Sequence, residues 1–133
     1  MIRGVNQVVL HVEDQDRAKE FWVDTLGFTL AEDSPYGEER WLSVTTPDGA
    51  TKLVLSKREP GWQPENVRDG LPHSSVFFYS DDVEKTYREL TEKGVSFPEP
   101  PTKQFFGWWS LFEDPDGTRY ALGQHWGTTT APR

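Results

Sequence analysis

Val5 to Val12 is rich in aliphatic and β-branched side chains, the pattern of a buried strand. Past Asp14 the period changes: Ala18, Phe21, Trp22 and Leu26 recur at helical spacing, which predicts a helix capped by Asp14 and stopped by Gly27. Phe28 to Ala31 returns to strand. Arg40 to Thr46 and Lys52 to Ser56 then flank Pro47-Asp48-Gly49, whose turn chemistry joins two strands in a hairpin.

The same order follows a second time. Ser74 to Tyr79 predicts a strand, Asp82 caps a helix with Val83, Tyr87 and Leu90 on one face, Gly94 stops it, and Val95 to Phe97 restarts a strand. Trp108 to Phe112 and Arg119 to Leu122 flank Pro115-Asp116-Gly117. The capping residues Asp14 and Asp82 lie 68 positions apart, as do the two Pro-Asp-Gly turns, and the stop glycines lie 67 apart. This is an internal duplication of a βαβββ unit. The expected class is α+β, one domain over 1–133, built from a module 3–56, a connector 57–72 rich in Pro and Gly, a module 73–125 and a frayed tail 126–133.

Composition narrows the function classes. A length of 133 residues suits one domain with an adequate core. The absence of Cys excludes disulfides and thiolate metal sites. With 14 Lys and Arg against 22 Asp and Glu, a net charge of -8 and no basic cluster, a nucleic-acid backbone would gain no neutralising contact. The apolar runs are too short to span a membrane, and Met1-Ile2-Arg3-Gly4 opens without the apolar stretch of a signal peptide, so a cytoplasmic protein is expected. Aromatic residues make up 14% of a chain that is only 35% hydrophobic, a concentration of rings that asks for a role.

Two segments resemble the vicinal oxygen chelate superfamily, which includes glyoxalase I, extradiol dioxygenases, fosfomycin-resistance enzymes and bleomycin-resistance binding proteins. One runs Val9-Leu10-His11-Val12-Glu13-Asp14-Gln15-Asp16-Arg17-Ala18-Lys19-Glu20-Phe21-Trp22 and ends Leu26-Gly27-Phe28; the other is Glu113-Asp114-Pro115-Asp116-Gly117. The resemblance implies two modules whose curled mixed sheets enclose a shared cavity, usually in a dimer. It leaves the chemistry open, because members include lyases, dioxygenases and proteins that only bind.

The family's metal enzymes carry ligands near the start of each first strand and on each last strand. Those positions correspond to Gln7, Val54, Ser75 and Ala121, of which only Gln7 resembles a metal ligand. A divalent ion needs about three N or O donors from the protein, so no metal and no other cofactor is expected. His11, His73 and His125 share no ligand spacing and read as hydrogen-bonded imidazoles at a rim, with His73 the best placed to touch a ligand.

Strand alternation sets Val8, Leu10, Val12, Leu53, Leu55, Val76, Phe78 and Leu122 toward the helices. The cavity face then holds Gln7, Val9, His11, Val54, Ser56, Ser75, Phe77, Tyr79 and Ala121. Leu42, Val44 and Phe112 share the helix side, which leaves Trp41 and Trp109 toward the cavity as pseudo-symmetry mates 68 positions apart. Trp22, Phe21, Phe28, Phe78 and Tyr87 read as core. Trp62, Phe105, Phe106 and Trp108 sit among Pro and Gly and read as a rim or a partner surface.

The leading reading is a metal-free protein resembling the bleomycin-resistance branch, which sequesters an aromatic or polycyclic ligand such as an antibiotic by mass action. Trp41 and Trp109 form the clamp, helped by Phe77, Tyr79, Trp108, His73, Gln7, Ser75 and His11. A homodimer is expected, because curled sheets leave edges and rings to cover. The alternative is a glyoxalase-like lyase or dioxygenase with a divalent metal held by Gln7 and histidines; a third reading is a dimeric module with no dedicated ligand.

Overall fold

The structure is a computed structural model that describes residues 1–124. His125 and the expected tail 126–133 lie outside the described residues. The chain divides into two units, Met1–Trp62 and the part from Gln63 onward.

In the first unit, β1 (Val8–Val12) leads to α1 (Gln15–Lys19), a π-helical stretch Glu20–Thr25, β2 (Thr29–Tyr36), β3 (Glu39–Thr45) and β4 (Lys52–Lys57). The sheet order is β1-β4-β3-β2, with β1 parallel to β4 and the remaining pairs antiparallel. Asp14 caps α1 as expected, its carboxylate accepting the Arg17 N–H at 3.1 Å. The π-helical stretch was not expected. Leu26 N–H donates to Phe21 O at 2.9 Å, one residue further back than an α-helix allows. The wider turn lets the adjacent rings Phe21 and Trp22 both enter the core, where successive α-helical side chains diverge by about 100°. Trp22 is fully buried, with the edges of Phe21 and Phe28 at 5.5 and 5.2 Å.

The second unit contains β5 (Asn66–Arg68), β6 (Leu71–Ser80), α2 (Val83–Glu92), β7 (Thr102–Gln104), β8 (Gly107–Glu113) and β9 (Arg119–Gln124), in the order β5-β6-β9-β8-β7. Asp82 caps α2 through the Lys85 N–H at 3.1 Å. Both stop glycines adopt the left-handed conformation that favours Gly, φ 82° at Gly27 and 92° at Gly94. Helix α2 packs on β6, β8 and β9. Beneath it lies an aromatic core in which Phe112 stacks on Tyr120 at 5.5 Å and Phe78, Phe97 and Tyr87 extend the ring contacts.

Three expectations need correction. The strand expected at Val95–Phe97 is reduced to a single bridge from Ser96 to Glu113, and the edge strand forms later, at Thr102–Gln104. Pro98, Pro100 and Pro101 lack the N–H groups a ladder needs there. The first strand begins at Val8 rather than Val5. The connector is not irregular throughout: Asp69 (φ 53°) and Gly70 (φ 75°) form a two-residue turn that pairs β5 with an early extension of β6.

Candidate functional site

Helix α2 covers one face of the second sheet, and strand alternation sends a different set of side chains to the other. From β6 these are Phe77 and Tyr79; from the central strand β9, Arg119, Ala121 and Gly123; from β8, Trp109, Leu111 and Glu113. Register sets them in rows: Tyr79, Gly123 and Trp109; then Phe77, Ala121 and Leu111. The small residues of β9 thus form a floor between two walls of large side chains. Phe77 and Trp109 lean together at 5.6 Å, edge to face, and Ala121 beneath is only 4% exposed. The rings themselves stay open, Phe77 at 69% and Tyr79 at 48%. Phe106 adds a second edge contact, 5.8 Å from Trp109, and carries the fully exposed Phe105 beside it.

The floor ends in charge. Arg119 Nε donates to Glu113 Oε2 at 2.9 Å, and Ser96 Oγ donates to Glu113 Oε1 at 3.0 Å. The adjoining turn aligns the two strands. Asp114 Oδ1 accepts the backbone N–H of Asp116 and Thr118 at 2.9 and 3.0 Å, and Oδ2 accepts the Tyr120 hydroxyl at 3.1 Å. Burial pushes the Asp114 carboxyl up to about 6, against these bonds. In the first unit Thr46, 68 positions earlier, does the same work with a hydroxyl, accepting the Thr51 N–H at 3.2 Å.

On the first sheet, Trp41 shares the face of Ser43 and Val54 and meets Tyr36 at 6.2 Å. A β-bulge between Leu30 and Glu32 turns Glu32 onto this face, opposite Ser43. The Glu32 carboxylate is held below its usual pKa range first by the neighbouring Trp41 indole, then by the Ser43 hydroxyl, which donates to it at 2.8 Å, and the Lys52 ammonium at 3.2 Å. Sequence patterning missed Glu32, because the strand was expected to stop at Ala31 and no alternation rule anticipates a bulge. The opposite face is structural: Arg40 takes Asp33 through Nε and Nη2 and Asp16 through Nη1, and Lys19 joins Asp33 at 2.8 Å, tying α1 to the sheet.

The other expected site residues scatter. Trp108 follows the parity of Ser110 and Phe112, away from Trp109, so it leaves the ring-lined face. His73 Nδ1–H donates to Leu71 O at 3.0 Å, and His73 is the register partner of Arg119, with a β-bulge between it and Phe77. Ser75 is exposed. His11 lies 6.0 Å from Trp62, over whose ring the Arg58 guanidinium sits at 4.1 Å. Gln7 is half-buried and precedes β1, and Val54 and Ala121 are buried, without donor atoms. Among the described residues no three His, Asp or Glu side chains converge as metal ligands. Nor is any described helix long and apolar enough to cross a membrane.

YurT of Bacillus subtilis (strain 168) is 37% identical over 121 residues, covering 86% of this chain and 94% of the relative. A member of the glyoxalase/bleomycin resistance protein/dioxygenase superfamily from Sphaerobacter thermophilus DSM 20745 superimposes with a TM-score of 0.79 at 31% identity, covering 93% of this chain and 98% of that one. TnmS3, an antibiotic binding protein from Streptomyces sp. CB03234, gives 0.74 at 32% identity with the same coverage. The family model of the Glyoxalase/Bleomycin resistance protein/Dioxygenase superfamily matches residues 4–122, and the chain belongs to that superfamily.

Proposed function

We propose that this protein binds and sequesters a flat aromatic or polycyclic small molecule, of the antibiotic type, without breaking a bond and without a metal or other cofactor. The observation that carries the reading is the open face of the second sheet, where Phe77, Tyr79 and Trp109 stand over a floor of Ala121 and Gly123. Large rings left open to water on a sheet face cost solvation that a ligand recovers. Rings mounted on strands are already ordered, so little entropy is lost when a ligand stacks on them. The likeness to TnmS3 supports the same reading. Trp41, against Tyr36, offers a ring platform on the first sheet. The chain is further proposed to act in the cytoplasm as a homodimer, which would cover the exposed edge-strand residues Val9 and Val67.

Titration of a panel of polycyclic antibiotics, followed by Trp fluorescence and calorimetry, tests the proposal. Binding should appear for at least one member. Trp109→Ala should weaken it about fivefold to a hundredfold, the range of one base-sized stacking contact. A panel that shows no binding, or a folded Trp109→Ala variant that binds as wild type does, would overturn the assignment. One divalent metal per chain in protein purified without chelator, with lyase or dioxygenase turnover, would favour the enzymatic reading instead.

A further inference from the structure

We infer that Arg119 recognises an acid group on the ligand, so that the molecule held on the ring-lined face is an aromatic carboxylate. The inference rests on the reading of that face given above and adds the ligand's polar end. Arg119 shares a strand face with Ala121 and Gly123, so its guanidinium closes the floor on which the rings stand. Its side chain is half-buried. Only Nε is engaged by a hydrogen bond, to Glu113 Oε2; among the described residues nothing accepts from Nη1 or Nη2.

Arg40 shows what a saturated structural arginine looks like in this chain, with all three guanidinium nitrogens bonded and two carboxylates gathered on one cation. Arg119 has one carboxylate where Arg40 has two. Glu113 does not compete for the vacant side, since Ser96 occupies its Oε1 and Arg119 its Oε2. Those bonds hold the guanidinium by one edge and leave a planar fork of donors, the geometry that matches a carboxylate's two oxygens. A monoanion suits a cation already half neutralised, and the adjoining Phe77 and Trp109 require the remainder of the ligand to be flat and apolar.

Matched acid and amide pairs test this: naphthoic acid with naphthamide, and anthraquinone carboxylic acid with its carboxamide, titrated near neutral pH. The amides keep shape and stacking but lose the charge. Each acid should bind about tenfold to a hundredfold more tightly than its amide, the range of a charge-assisted hydrogen bond. The preference should vanish in the double variant Arg119→Met with Glu113→Gln, which leaves neither charge unpaired. Should that variant fail to fold, Arg119→Lys keeps the ion pair without the fork and should lower the preference at least about threefold. Equal binding of acid and amide to wild type, with both weakened by Trp109→Ala, would overturn the role of Arg119 and leave the ring-lined face standing. An acid preference that persists in the variants would also overturn it. No binding of any of the four probes would remove the aromatic face and the anion site together.

Discussion

Asp114 makes the second hairpin turn sensitive to pH. Its carboxyl is 6% exposed and collects two backbone N–H groups and the Tyr120 hydroxyl, yet burial outweighs those bonds and raises its pKa from 3.8 to about 6. The unfolded chain releases this proton near the ordinary value, so between 3.8 and 6 the folded chain holds more protons and stability falls as pH rises through that window. At about 1.4 kcal/mol per pKa unit, the ionised carboxylate costs the fold up to about 3 kcal/mol at neutral pH. Asp114→Asn keeps an acceptor for Asp116 and Thr118 and carries no charge. It should match wild type near pH 4 and exceed it by up to about 3 kcal/mol near pH 7.5. Asp114→Ala strands three donors and should destabilise by about 3 kcal/mol or more at both. Urea unfolding followed by Trp fluorescence across this pH range reads the difference between variants, which cancels every other titration. A constant offset between Asp114→Asn and wild type from pH 4 to 7.5 would refute the reasoning.

Three further outcomes are expected. Trp22→Ala should cost about 3 to 5 kcal/mol in urea unfolding, because it empties the fully buried centre of the first unit's core. Asp82→Ala removes the cap on α2 and should cost about 1 kcal/mol, seen as a lower urea midpoint with unchanged slope. The Asp33 carboxylate lies well below the ordinary 3.8, held there first by Arg40 and then by Lys19. Its contribution is present above 3.8 and lost as pH falls through the folded value, so acid unfolding of Asp33→Asn, followed by circular dichroism, should be shallower than that of wild type.

Local signals and repetition were legible along the chain. Asp14 and Asp82 as caps and Gly27 and Gly94 as stops are decided by groups within a few residues, so their roles needed no tertiary information. The family was legible for a related reason: Glu113 to Gly117 leads a turn in which Asp114 accepts the N–H groups of Asp116 and Thr118, within four residues along the chain. Alternation correctly set Phe77, Tyr79, Trp109 and Ala121 on one face of the second sheet, because a strand fixes side-chain direction residue by residue.

What the tertiary structure decided lies where that simple counting fails. The bulge at Leu30/Glu32 turns Glu32 onto the face of Ser43 and Trp41, the bulge between His73 and Phe77 shifts the register so that His73 pairs with Arg119, and the π-helical turn admits Phe21 and Trp22 together. Each inserts a residue or widens a turn to satisfy partners remote in sequence, which no period of 2 or 3.6 foretells. The single-edged bond from Arg119 to Glu113, with Ser96 on the other oxygen, is of the same kind. It joins three segments that are separate along the chain, and its vacant donors appear only once the folded partners are in place.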